Sequence, residues 1–267
     1  MSDERRLEPP WNVKEQVTVA ICTRGRGALI RSTLLSVLAG DVLPAEIVVV
    51  DQSDDDSTAD AVLALALTEP RVRLFRTATR GISHARNIAL REARGEVIAF
   101  TDDDVVVAVD WLRMVAAEFD AYPDLALLFG TVLPPKTYDW RTEFIPHCHV
   151  PTTRPMRWHD SATLSVMGAN MSLRWSLSRV IGEFDVSLGA GAAVPTGEDW
   201  EYALRALCLR PAPLRVHTVD SARVVHHAGA RRGAEYRRLC IKPTARARAC
   251  CGRTCCDEER EDIGSAT

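Results

Sequence analysis

The chain has 267 residues, 46% hydrophobic and 26% charged, with a formal net charge of −3. This is ordinary globular composition, which excludes a disordered chain, a collagen and a coiled coil. The length suits one large domain or two small ones, and the near-zero charge excludes bulk nucleic-acid binding, which needs a basic domain.

Residues 1–15 are charged and Pro-bearing and lack the apolar core of a secretory signal. No stretch approaches about 18 apolar residues, so no transmembrane helix is expected; Asp110 and Arg113 interrupt the best candidate, Val105 to Ala117. Reduced thiols in a cytoplasmic protein are the expectation for Cys22, Cys148 and Cys208. Cys240, Cys250, Cys251, Cys255 and Cys256 crowd the C-terminal end without the Cys-x₂-Cys spacing of a zinc site.

In chain order, Val17 to Cys22 is an apolar, β-branched run followed by the turn formers Thr23 to Gly27. Ala28 to Leu38 has helical spacing, and Ile47 to Val50 reads as a strand buried on both faces. That strand ends in Asp51 to Ser57, where an Asp or Ser is available to cap a helix over Thr58 to Leu67. Val72 to Phe75 is a third strand, Ile82 to Arg94 a helix closed by Gly95, and Val97 to Phe100 a fourth strand ending in Thr101 to Asp104. Trp111 to Tyr122 reads as a helix and Leu125 to Val132 as a strand. Five prolines between 134 and 160 predict a long irregular connection. Gly168 to Leu173 reads as a strand or turn before a helix to about Ile181, and Gly189 to Gly191 begin a flexible loop. Glu201 to Leu209 is a helix, and Val216 to Thr218 and Arg223 to His227 are two late strand segments.

Alternating strands and helices predict βαβ units and a mostly parallel sheet flanked by helices, in a single domain. Ligands bind beyond the carboxyl ends of such strands. Thr23 to Arg26, Asp51 to Asp56 and Asp102 to Asp104 all fall at that edge. No G-x-G-x-x-G follows the first strand and no Walker A is present, so dinucleotide redox and P-loop chemistry lose ground.

Three carboxylates ending a buried strand call for a positive partner, and hard oxygen ligands suit Mg²⁺ or Mn²⁺. The competing reading of Asp102, Asp103 and Asp104 is a solvated turn or helix N-terminus. Asp51 suits a ribose hydroxyl or base N–H, or else it caps its own loop. Arg86 suits a diphosphate or a surface ion pair. Glu198 and Asp199 open a helix, as a general base or as caps. His226 or His227 is a third metal ligand or a structural histidine.

Taken in order, these segments resemble family 2 glycosyltransferases of the GT-A fold. The resemblance rests on Thr23-Arg24-Gly25-Arg26, Ile47 to Ser53, Gly81-Ile82-Ser83-His84-Ala85-Arg86-Asn87, Gly95 to Asp104, Gly168-Ala169-Asn170-Met171 and Gly197-Glu198-Asp199. It spans roughly residues 16 to 229. It implies a Rossmann-like GT-A domain, with a nucleotide-binding half over about 16–132 and an acceptor half over about 133–229. It also implies a metal-dependent, inverting transfer from a nucleoside-diphosphate sugar to an acceptor hydroxyl. Thr23, Arg26, Asp51, Arg86, Asp102 and Asp103 are the implied donor-binding residues. Asp104, Asp102 and His226 would hold Mg²⁺ or Mn²⁺; Asp199 would be the catalytic base, with Glu198 beside it. The acceptor, whether a glycan, a lipid-linked saccharide or a small molecule, is not specified. The alternatives are a nucleotidyltransferase of similar fold, disfavoured by the missing Lys in Thr23 to Gly27, and a non-catalytic nucleotide-sugar-binding relative. Residues 230–267, basic and then acidic, depart from the pattern and are expected to be disordered; peripheral contact with the inner face of the membrane stays open.

Overall fold

The computed structural model describes residues 16–150, 152–157, 166–227 and 231–232. The expectations for residues 1–15 and for the tail from 233 onward lie outside the described residues. The elements run β1 (Val17–Thr23), α1 (Gly27–Leu38), β2 (Glu46–Asp51), α2 (Ser57–Ala66), β3 (Val72–Arg76), α3 (Ile82–Glu92), β4 (Val97–Asp102) and β5 (Val105–Val107). They continue with α4 (Trp111–Ala121), β6 (Leu125–Leu133), β7 (Glu143–Phe144), β8 (Arg154–Pro155), β9 (Asn170–Arg174), α5 (Trp175–Ile181), α6 (Glu198–Cys208), β10 (Arg215–His226) and β11 (Arg231–Arg232).

The main sheet has the order β3-β2-β1-β4-β9-β6-β10-β5, with β8 on β10. Strands β1 to β4 pair in parallel. β9 runs against β4 and β6, β10 follows β6, and β5 runs against β10. Alternation of side chains along each strand builds two apolar layers. Val17, Val19, Ile21, Ile47, Val49, Val97 and Ala99 face Ile30 and Leu34 of α1, Val62 of α2 and Trp111 and Val115 of α4. Ala20, Val48, Val50, Ile98 and Phe100 face Ala85 and Ala89 of α3, Leu177 of α5 and Tyr202 and Ala206 of α6. Successive crossovers therefore leave β1 on one face and enter β4 from the other. The order reverses between β1 and β4, and a crevice opens at that switch point.

Several sequence expectations are corrected. The 134–160 connection carries the short strands β7 and β8. The two late segments are one strand, β10, broken by a register shift between Val219 and Arg223. Val105 to Val107, to which the sequence assigns no element, is an edge strand. Helix α3 is capped by Ala93, not Gly95. Gly95 is needed for close approach instead, since a Cβ there would sit 2.3 Å from the Gln16 carbonyl oxygen. At α2 the N-cap is Asp56, which makes no side-chain capping bond; the Ser57 amide donates instead to Asp55 Oδ1 at 3.0 Å. Among the described residues no helix is long and apolar enough to cross a membrane.

Candidate active site

At the switch point lies a cleft of about 620 Å³, lined by the ends of β1 and β4, the start of α3, Pro146, the 190–191 loop, Glu198 and His226. That volume lies within the usual range for small-ligand sites.

The acidic turn closes β4 and is held from α1, where Thr33 Oγ1 donates to the carbonyls of Asp103 (3.0 Å) and Val105 (2.7 Å). The His227 amide donates to the Asp104 carbonyl at 2.8 Å, which fixes the turn to the end of β10. One oxygen each from Asp102 and Asp104 and one His226 ring nitrogen lie within 4.8 Å of one another. This is the trio the resemblance implies. His226, not the exposed His227, is the histidine that reaches it. His226 Nδ1 donates to the Pro146 carbonyl at 2.8 Å, which leaves Nε2 aimed at Asp104 Oδ1, 3.0 Å away. A backbone partner on one ring nitrogen is how proteins orient a metal-ligating histidine. Two carboxylates and an imidazole nitrogen suit Mg²⁺ or Mn²⁺ as donors.

Burial opposes charge on the His226 ring, yet the Asp104 carboxylate outweighs it and lifts the pKa to about 9. Burial raises Asp104, but His226 and Arg26 together hold it below the usual carboxylate range. Asp103 is pushed up to about 6 by burial against the pull of Thr23 and Arg26. Burial also raises Asp102, and it lifts the Cys22 thiol on the cleft floor to about 12, so that thiol stays protonated.

Arg86 is buried, and its Nη1 donates to Glu198 Oε1 at 2.9 Å. Its charge is also felt by Asp102 and Asp199. It thus lines the cleft but is already paired within the protein, a role the donor-binding expectation did not include. Gly168 makes room for it, since a Cβ there would fall 2.0 Å from Arg86 Nη2. Asp199 accepts from the Gly168 amide (2.8 Å) and the Trp200 amide (2.7 Å). Burial and then Glu198 raise Asp199 to about 6. Glu198 reaches the cleft, with Asp199 one residue further along α6.

Thr23, Arg26, Asp102 and Asp103 line the cleft as expected, whereas Asp51 does not. The Asp51 Oδ1 atom accepts from the Ser53 amide at 2.8 Å, and its Oδ2 is buried 3.7 Å from Arg76 Nε. Gln52 lines the cleft in its place, fixed by donation to the Thr79 and Gly81 carbonyls.

Sequence reasoning missed several residues that build the site. Asn87 clamps the Phe184 backbone in both directions, at 2.9 and 2.8 Å. Ser83 Oγ donates to the Leu188 carbonyl at 2.7 Å and the Ile82 amide to the Ala190 carbonyl at 2.9 Å. The segment from Phe184 to Ala190 is therefore tied to α3 through three residues, of which Ala190 lies in the loop expected to be flexible. Asn170, read as part of an acceptor-side motif, is buried: it donates to the Thr131 and Ala222 carbonyls and accepts from Trp111 Nε1 at 2.9 Å. It satisfies the backbone at the irregularity of β10 and so helps to place His226.

The comparisons with known proteins agree with this architecture. A glucosyl-dolichyl phosphate glucuronosyltransferase of Haloferax volcanii is 25% identical over 228 residues, 81% of this chain and 68% of that protein. The succinoglycan biosynthesis protein ExoO of Rhizobium meliloti is 36% identical over 117 residues, 43% of this chain and 33% of that protein. Among solved structures, residues 1–349 of S. aureus TarS superpose with a TM-score of 0.60 at 20% identity, covering 79% of this chain and 60% of that one. A mannosyltransferase from Pyrobaculum calidifontis, solved with GDP-Man and Mn²⁺, gives 0.58 at 22% identity, covering 94% and 65%. At such identities the superpositions establish the GT-A-type fold. The pattern of glycosyl transferase family 2 matches residues 18–181, more than half of the sequence, and the chain belongs to that family.

Proposed function

We propose that this protein transfers a sugar from a nucleoside-diphosphate sugar to an acceptor hydroxyl, with inversion at the anomeric carbon. The carrying observation is the convergence of Asp102, Asp104 and His226 ligand atoms within 4.8 Å at the floor of the cleft. These residues would hold Mg²⁺ or Mn²⁺, which supplies Lewis-acid stabilisation of a departing diphosphate when bound. Residues 16–132 would serve the donor and 133–229 the acceptor, the latter being a glycan, a lipid-linked saccharide or a small molecule.

Asp199 takes the acceptor proton as the acceptor oxygen bonds to the anomeric carbon and the bond to the diphosphate breaks. Its pKa of about 6 leaves it ionised yet basic at neutral pH. The Gly168 and Trp200 amides orient it. Glu198 is committed to Arg86, and this buried pair holds the start of α6 against the cleft. A thermal-shift panel of UDP- and GDP-sugars with and without Mn²⁺ tests the reading, because ligand binding raises apparent stability by mass action. A metal-dependent shift with one donor class supports it; no shift with any nucleotide sugar overturns it.

A further inference from the structure

Asp104 has both carboxylate oxygens engaged. Its Oδ1 faces His226 Nε2 at 3.0 Å, and its Oδ2 accepts from Arg26 Nη1. The same Arg26 nitrogen lies 3.1 Å from Asp103 Oδ1. The Asp103 and Asp104 side chains are only 8% and 6% exposed, so they require a positive partner in the fold itself. A divalent cation on an Asp104 oxygen would stand beside the Arg26 guanidinium, and the like charges would compete for that carboxylate. His226 is anchored on β10 and tied at Nδ1 to Pro146. Arg26 stands on the turn before α1, with its side chain 41% exposed and its head on the cleft wall.

We propose that Arg26 is an internal counter-cation that holds the Asp103 and Asp104 carboxylates until a divalent metal on Asp104 displaces it. This rests on the metal reading above. The displaced guanidinium remains on the cleft wall, where its planar fork suits a phosphate. Loading of the metal and capture of an anionic donor are thereby coupled through one side chain, which neutralises the aspartates first and a phosphate afterwards.

The test is a Mn²⁺ titration of the full chain without nucleotide, followed by loss of the free-ion EPR signal. Arg26→Gln should bind Mn²⁺ about tenfold more tightly than the wild type, the scale of one charge-assisted contact no longer broken. Arg26→Lys, which keeps a cation there, should stay near the wild type. A second readout needs no variant: phenylglyoxal labelling of Arg26, located by mass spectrometry, should rise when Mn²⁺ is added to the wild type. If the wild type binds Mn²⁺ but Arg26→Gln binds it no more tightly and labelling is unchanged, the exchange is refuted and the metal reading survives. If no variant binds Mn²⁺, both fail.

Discussion

Replacing Arg86 with methionine removes the guanidinium that Glu198 accepts from at 2.9 Å, with side chains only 4% and 11% exposed. Methionine keeps apolar bulk beside Phe100 and Phe184, whose rings lie 5.9 and 5.6 Å from the guanidinium carbon. The loss is therefore mainly electrostatic. Breaking one side of a buried ion pair costs about 3–5 kcal/mol. In a domain of this size that corresponds to a fall in Tm of roughly 6–20 °C. Urea unfolding at pH 7 reads it directly. Because the raised Asp102 and Asp199 carboxyls lose the cation that opposes their protonation, that protonation should relieve the defect, and the deficit should shrink at pH 5. The double variant Arg86→Met/Glu198→Leu removes both charges and should recover part of the loss. A deficit below about 1 kcal/mol, or a double variant worse than the single one, would refute the account of a buried pair at the base of the site.

Three further outcomes follow from the same geometry. Gly168→Ala places a methyl 2.0 Å from Arg86 Nη2, so the guanidinium must leave Glu198; stability should fall by about 1–3 kcal/mol and turnover with it. Trp111→Phe deprives the buried Asn170 Oδ1 of its donor and should cost about 1–3 kcal/mol in urea unfolding while donor binding persists. His226 has a folded pKa of about 9, above its ordinary 6.5, so it adds stability that is complete below pH 6.5 and lost as pH rises to 9. In EDTA, unfolding free energy should drop over that window, and His226→Gln should flatten the drop; an unchanged pH profile would contradict the Asp104 pairing.

The donor half was legible because its chemistry is local. Ile47 to Val50 can only be a doubly buried strand, and the acidic cluster at Asp102 to Asp104 marks the end of another. Strand ends thus put Asp102 to Asp104 and the pair His226 and His227 near the cleft, while the choice of His226 came from the fold. Roles that depend on distant partners were not legible. Asn87, Ser83 and Asn170 act on backbone carbonyls and amides far along the chain, which residue type does not encode. Asp51 looked like a ligand contact by position, but the adjacent Ser53 captures one of its oxygens. Arg86 reads as a phosphate contact; it lines the cleft, and its pairing with Glu198, 112 residues away, was not legible. The continuity of β10 was hidden because its irregularity at 219–223 breaks the alternation that marks a strand.

The central claim is that Asp104 helps to hold a metal and that Asp199 is the base for sugar transfer. Its most direct measurement is Mn²⁺-dependent release of nucleoside diphosphate from the donor identified by thermal shift, in wild type, Asp104→Ala and Asp199→Asn. The account predicts release by the wild type that falls below about pH 6 as Asp199 protonates. It predicts loss of Mn²⁺-dependent release in Asp104→Ala, and in Asp199→Asn a protein that still binds the donor but no longer transfers. Undiminished release by Asp104→Ala, or transfer by Asp199→Asn at the wild-type rate, would contradict it.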